Sequence, residues 1–93
     1  MVTYDENKRL ENIVKHGLDF VGCDAIFDGP VFSCEDDRDH YGEQRIRTLG
    51  FLHDGVVHFT YTVRGEDFHA ISLRKAEKHE VRFFEKMLTR RRG

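Results

Sequence analysis

The stretch from Gln44 to Arg74 does most to restrict the fold, because it reads as three strand-length runs, 44–52, 56–63 and 67–74, separated by two turn signals. Asp54-Gly55 is a strong hairpin dipeptide, since Gly takes up left-handed backbone without steric cost, and Arg64-Gly65-Glu66 supplies a second turn. Together they predict an antiparallel meander. A two-residue turn at Asp54-Gly55 pairs Leu52 with Val57 and Gly50 with Phe59. A turn centred on Gly65 pairs Phe59 with Ile71 and Tyr61 with His69. Side chains alternate across a strand, so this register sorts the sheet into two faces. One collects Ile46, Val57, Phe59, Tyr61, Val63, Ile71 and Leu73, and is a core. The other collects Glu43, Arg45, Arg47, His58, Thr60, Thr62, Arg64, Ser72 and Arg74, with Leu49, Phe51, Phe68 and Ala70 between them.

The flanking segments supply the second layer. Val2–Tyr4 reads as a short strand. Asp5 is placed to cap a helix over 6–16, with Leu10, Ile13 and Val14 as its apolar stripe, Lys15 and His16 in its last turn, and Gly17 as a left-handed C-cap. Asp19 is placed to cap a second helix over 20–28, which carries Phe20, Val21, Ala25, Ile26 and Phe27 and is stopped by Asp28-Gly29-Pro30. Val31–Cys34 reads as a strand, and the acidic stretch Glu35–His40, ending at Tyr41-Gly42, as an exposed loop. A last helix over about 76–90 turns Ala76, Phe83, Phe84, Met87 and Leu88 to the core, with Arg90–Arg92 as a frayed tail. The expected architecture is one α+β domain of order β-α-α-β-β-β-β-α.

Composition agrees with a folded chain: of 93 residues, 39% are hydrophobic and 12% aromatic, unlike a disordered segment. No apolar run approaches the ~18 residues of a membrane span, and the first fifteen residues, polar and mixed in charge, do not read as a signal peptide. Cys23 and Cys34 form no disulfide framework and read as reduced thiols, so a cytoplasmic protein is expected. The net charge of −2 conceals a split: residues 1–43 carry four Lys/Arg against eleven Asp/Glu, and residues 44–93 eleven against six. That second half suits a partner bearing phosphates. The six histidines and two cysteines show no HxxxH or CxxC spacing, so no metal site or other cofactor is expected, and GxSxG and glycine-rich phosphate loops are absent.

Four arginines, a carboxylate, a histidine and several hydroxyls on one sheet face are suited to phosphodiester chemistry. Arginine presents a planar fork of donors to phosphate, and a strand holds it with little freedom. Cleavage of RNA without a metal needs a base for the 2′-hydroxyl, cations for the charge that develops on the phosphate, and an acid for the leaving oxygen. Glu43, His16 and His58 are candidate bases or acids, and Arg45, Arg74 and Lys15 candidate phosphate holders. A structural account stands beside each: Glu43 with Arg45 as a same-face ion pair of little worth, and Lys15-His16 as a helix C-cap.

Three blocks of the sequence resemble one family. Tyr4-Asp5-Glu6…Lys8…Asn12…Lys15-His16-Gly17…Phe20…Ala25…Phe27, then Asp37…His40…Glu43…Arg45…Gly50, then Ile71-Ser72-Leu73-Arg74-Lys75-Ala76…Glu80…Phe84 are similar to the opening, middle and closing blocks of the BrnT toxins. The likeness spans nearly the whole chain. Tyr4 stands where Trp is common and Leu73 where Ala is common, and Gly22-Cys23 interrupts a helix usually richer in Glu and Ala. No charged motif residue is lost. The resemblance implies a fold like that of the RelE ribonuclease toxins, RNA cleavage that inhibits translation, and a ribbon-helix-helix antitoxin that binds operator DNA and represses the shared operon. It places catalysis at Lys15, His16, Glu43, Arg45 and Arg74. Arg47, His58, Thr62, Arg64 and Ser72 are the expected RNA contacts. The alternative is a module that binds RNA or a partner protein on the same basic face without cleaving anything.

Overall fold

A computed structural model describes residues 1–36 and 42–92. Its elements are β1 (Val2–Thr3), α1 (Glu6–His16), a 3₁₀ segment (Cys23–Asp28), β2 (Val31–Asp36), β3 (Arg45–Leu52), β4 (Gly55–Arg64), β5 (Asp67–Lys75) and α2 (Lys78–Arg92). The sheet has the order β1-β5-β4-β3-β2, with β1 parallel to β5 and every other pair antiparallel. Strands β3–β5 thus form the expected meander, with β2 antiparallel on one edge and β1 parallel on the other. Among the described residues, no helix is long and apolar enough to cross a membrane.

Both turns differ from the expected ones by small steps. The β3–β4 hairpin turns on His53-Asp54, with His53 left-handed at φ 57°, and Leu52 pairs with Gly55. The register therefore moves by two residues, and because side chains alternate with a period of two, both faces survive. The β4–β5 turn is Gly65-Glu66, with Gly65 at φ 62°, and Arg64 pairs with Asp67. That is a one-residue move, which turns Phe68 and Ala70 inward and His69 outward. A bulge then leaves Ile71 unpaired between Tyr61↔Ala70 and Thr60↔Ser72. A bulge places one extra residue in one strand, so the two single-residue steps add to an even shift, and Ser72, Leu73 and Arg74 return to their expected faces. Phe68 and Ala70 join the core, while Ile71 leaves it for the cleft beside α1. Val63, expected in the core, is 40% exposed near the end of β4.

The core lies between the inward face and residues 18–31. Phe59, Tyr61, Leu73 and Ala70 pack with Phe20, Cys23 and Ile26, and Phe27 makes edge or tilted contacts with Phe59, Tyr61 and Phe68 at 5.2–6.3 Å between centroids. The expected second α-helix is instead the short 3₁₀ segment. Asp19 accepts from the Val21 amide and from Arg9, and Gly22 enters the left-handed region at φ 82°, which an α-helix cannot pass through. The segment lies close to the sheet at Gly50, where a Cβ would stand 2.6 Å from Ile26 Cγ2 and 3.2 Å from Val31 Cγ1.

The start and end of α1 agree with expectation: Asp5 accepts from the Asn7 amide, and Gly17 is left-handed at φ 74°. Its apolar stripe does not. Leu10 is 50% and Val14 88% exposed, while Asn12 is buried. The reason is that α1 meets the edge of β5, where backbone groups need partners. The Asn12 amide donates to the carbonyls of Leu73 (2.9 Å) and Leu18 (2.8 Å), and its oxygen accepts from the Leu73 amide (3.0 Å). Asn12 in this way supplies what a neighbouring strand would.

On the outward face, α2 covers Phe32, Leu49 and Phe51. Phe84 is buried against Phe51 at 5.2 Å, and Phe83 stands edge-on to Phe32 at 4.9 Å. Ala76 precedes α2, and the helix continues through Arg92, into the stretch expected to fray. Glu35 and Asp36, expected in the loop, extend β2, and the loop's remaining residues Asp37–Tyr41 lie outside the described residues together with the Asp37…His40 part of the family motif.

Candidate active-site face

The outward face is organised in rows set by the ladder. Asp36, Arg45, Thr62 and His69 form one row, Cys34, Arg47, Thr60 and Ser72 the next, and Phe32, Leu49, His58 and Arg74 a third. The first row is prolonged into β1, where Thr3 Oγ1 is 2.9 Å from His69 Nδ1. Acidic Asp36 lies directly opposite Arg45 and is buried. In the middle row the Arg47 guanidinium donates to Cys34 Sγ at 3.6 Å. Cys34 is an exposed thiol, whereas Cys23 is buried and its thiol is pushed up to about 12 by that burial.

Lys15, His16, Ser72 and Arg74 come together where the C-terminus of α1 meets β5. A cleft of about 150 Å³ there is walled by Lys8, Glu11, Asn12, Lys15, His16, Ile71 and Ser72. Arg74 lies close enough to His16 for its charge to be felt. Burial first, then repulsion by Lys15 and Arg74, lowers the His16 pKa from its ordinary value, so its surroundings favour the neutral imidazole.

Arg74 is fixed in direction by α2. Its two terminal nitrogens donate to the two oxygens of Glu80 at 2.8 and 3.0 Å, and one of them also donates to the Lys75 carbonyl at 3.2 Å. Glu80 further accepts from the Glu77 amide at 2.8 Å, a reach back across the first turn that satisfies an otherwise orphaned helix donor. Its carboxyl is lowered to about 2, chiefly by the Arg74 bonds. His58 is buried, with Nε2 3.9 Å from Glu80; desolvation and then the Arg74 charge lower its pKa.

The remaining candidates sit elsewhere. Arg45 and Arg74 are two strands and four residues apart in the ladder, roughly 16 Å at about 4.8 Å per strand and 3.3 Å per residue. Glu43 lies beyond Arg45 and pairs with Arg64 at 3.6 Å, both of them exposed. The five expected catalytic residues are thus divided into Lys15, His16 and Arg74 at one end and Glu43 and Arg45 at the other, with Arg47 and Ser72 between. Thr62, expected to touch RNA, is buried and donates to the Gln44 carbonyl at 2.6 Å, and buried His58 likewise lies below the surface. Glu80 and Asn12 were not among the expected site residues. Both stand in the blocks that resemble the family, and Glu80 is also an acidic residue in the first turn of the helix that follows Arg74.

The class defined by this arrangement is a small α+β protein with a cationic, histidine-bearing face suited to phosphate. The chain belongs to the BrnT family of ribonuclease toxins of type II toxin–antitoxin systems, whose family model matches residues 4–80. No curated protein matches it. Membership implies an RNA substrate and an antitoxin protein as partner.

Proposed function

We propose that the chain is a metal-independent endoribonuclease whose reacting centre is the cleft between α1 and β5. The observation that carries this reading is the cleft that His16 shares with Lys15 and Ser72, close enough to Arg74 for both cations to disfavour the charged imidazole. In that reading His16 takes the proton of a ribose 2′-hydroxyl, whose oxygen attacks the adjacent phosphorus. Arg74 and Lys15 stabilise the charge that builds on the phosphate oxygens. The bond to the 5′ oxygen breaks, that oxygen takes a proton from the Lys15 ammonium, and a 2′,3′-cyclic phosphate remains. Ser72 and Arg47 hold the strand as it runs toward Arg45, Arg64 and Glu43, which at roughly 16 Å bind RNA rather than join the chemistry. Cleavage in the cytoplasm inhibits translation. A ribbon-helix-helix antitoxin neutralises the toxin and, with it, represses the operon on operator DNA. The sheet-and-helix order is in keeping with a RelE-type scaffold.

The test is incubation of the purified chain, freed of antitoxin, with total RNA in EDTA. Fragments with 2′,3′-cyclic or 3′-phosphate ends, absent with His16→Ala, are expected. Intact RNA from the folded wild-type chain would overturn the metal-free reaction. Salt-sensitive binding without cleavage would favour a docking module, a role to which the Arg74–Glu80 pair, as a strap between β5 and α2, is also suited.

A further inference from the structure

We propose that Asn12 is a positioning residue for the ribonuclease reaction, holding the α1 residues that act on RNA at a fixed distance from those of β5. This rests on the reading of the α1–β5 cleft as the reacting centre.

The geometry is direct. Asn12 is 5% exposed and makes three hydrogen bonds, two of them to the backbone of Leu73. Leu73 lies between Ser72 and Arg74, the two β5 residues at the site. His16 follows Asn12 by four residues, so both lie on one face of α1 about 6 Å apart along the axis. A single amide therefore joins the helix that carries Lys15 and His16 to the strand that carries Ser72 and Arg74. The third bond, to the Leu18 carbonyl, fastens the chain just beyond the Gly17 cap, so the last turn of α1 is held from both sides. The apolar stripe does not share this task, because Leu10 and Val14 face solvent. Asn12 also walls the cleft, but its side-chain nitrogen and oxygen are engaged with backbone, so its part is to position the groups around it.

The charged groups facing His16 are Lys8, Glu11 and Lys15 from α1 and Arg74 from β5. Releasing α1 from β5 moves His16 away from Arg74 and admits water, and both changes shift its titration upward toward the ordinary histidine value. A structural role alone lowers stability and leaves that titration in place.

The experiment compares wild type, Asn12→Ala and Gly50→Ala, the last destabilised on the opposite face of the sheet. His16 is titrated by NMR, and kcat and KM for RNA cleavage are measured against pH at a temperature where all three are folded. The expected result for Asn12→Ala is an upward shift of the His16 titration, a matching shift of the acid limb of kcat, and a tenfold to hundredfold fall in kcat, on the order that small misplacements of catalytic groups produce. Gly50→Ala moves none of these. If Asn12→Ala does not fold, Asn12→Ser, which keeps a small polar side chain, is measured in its place. A folded variant with wild-type His16 titration and kcat overturns the proposal. Absence of cleavage by wild type overturns the ribonuclease reading instead, and the NMR titration still decides whether Asn12 positions His16.

Discussion

Replacing Glu80 by Gln removes one negative charge from a position where three groups converge on it. The carboxylate accepts twice from Arg74 and once from the Glu77 amide, and faces His58 at 3.9 Å. Its pKa is lowered from 4.5 to about 2. Because the folded value lies below the unfolded one, the linked stability is fully present above pH 4.5 and is lost as pH falls toward 2. A shift of that size corresponds to roughly 3 kcal/mol at about 1.4 kcal/mol per pH unit. Arg74 is 28% exposed, so solvent screening brings the expectation to about 2 kcal/mol. In Glu80→Gln the amide oxygen keeps one bond from Arg74, and the charge is gone. Urea unfolding at pH 7 is expected to show a loss of about 2 kcal/mol, equivalent to roughly 10 °C in Tm for a chain this short. The distinguishing result is the pH dependence: the gap between wild type and variant closes progressively from pH 4.5 downward, as the wild-type carboxylate takes up its proton. A gap that stays constant to pH 2.5 would refute the electrostatic account and leave only shape and packing.

Cleavage by wild type is expected to persist below the ordinary histidine range and to fall only as pH drops through the lowered His16 value, because the base must be neutral; a pH–rate profile checks this, and an acid limb at or above 6.5 would contradict it. Gly50→Ala should cost about 1–3 kcal/mol in urea unfolding, since the new methyl meets the buried Ile26 and Val31 side chains, and an unchanged midpoint would show that the 3₁₀ segment yields freely. His53→Gly should stabilise the protein by up to about 1 kcal/mol, because His53 occupies left-handed backbone at φ 57° that Gly adopts without strain, and thermal melting reads the gain. Arg47→Ala should weaken RNA binding and reduce its salt slope by about one ion while leaving the pH profile of cleavage in place, as filter binding across salt concentrations would show.

Period-two alternation and turn dipeptides were enough to read the meander and most of its two faces. The reading withstood a two-residue error at His53-Asp54 for a physical reason, since an even shift keeps every side chain on its side. It failed over Phe68–Ile71, where the turn at Gly65-Glu66 introduced an odd shift that the bulge then made even. No local residue pattern announces a bulge of this kind. The failure at α1 has a different origin: Leu10, Ile13 and Val14 form a correct helical stripe, but the surface that α1 meets is a strand edge whose amide and carbonyl need Asn12 more than an apolar contact. At the site, Lys15, His16 and Arg74 were legible as residue types. Their separation from Glu43 and Arg45 was not, because distance along a face depends on register across three strands. Glu80 illustrates the same limit, since its value to the site arises only where β5 runs into α2.

The bulge has one more implication. With Ile71 left out, the ladder would run from Leu73 through Ser72 to Ala70 and His69 without a break, core and surface positions alternating throughout. The sheet has no need of that residue. Ile71 is an insertion in an otherwise complete strand, and its side chain goes to the wall of the cleft that also holds Lys15 and His16. Deleting it should leave a chain that folds with its core unchanged and its cleft missing one side, which makes residue 71 a place where the binding surface can be lengthened or trimmed without renegotiating the fold.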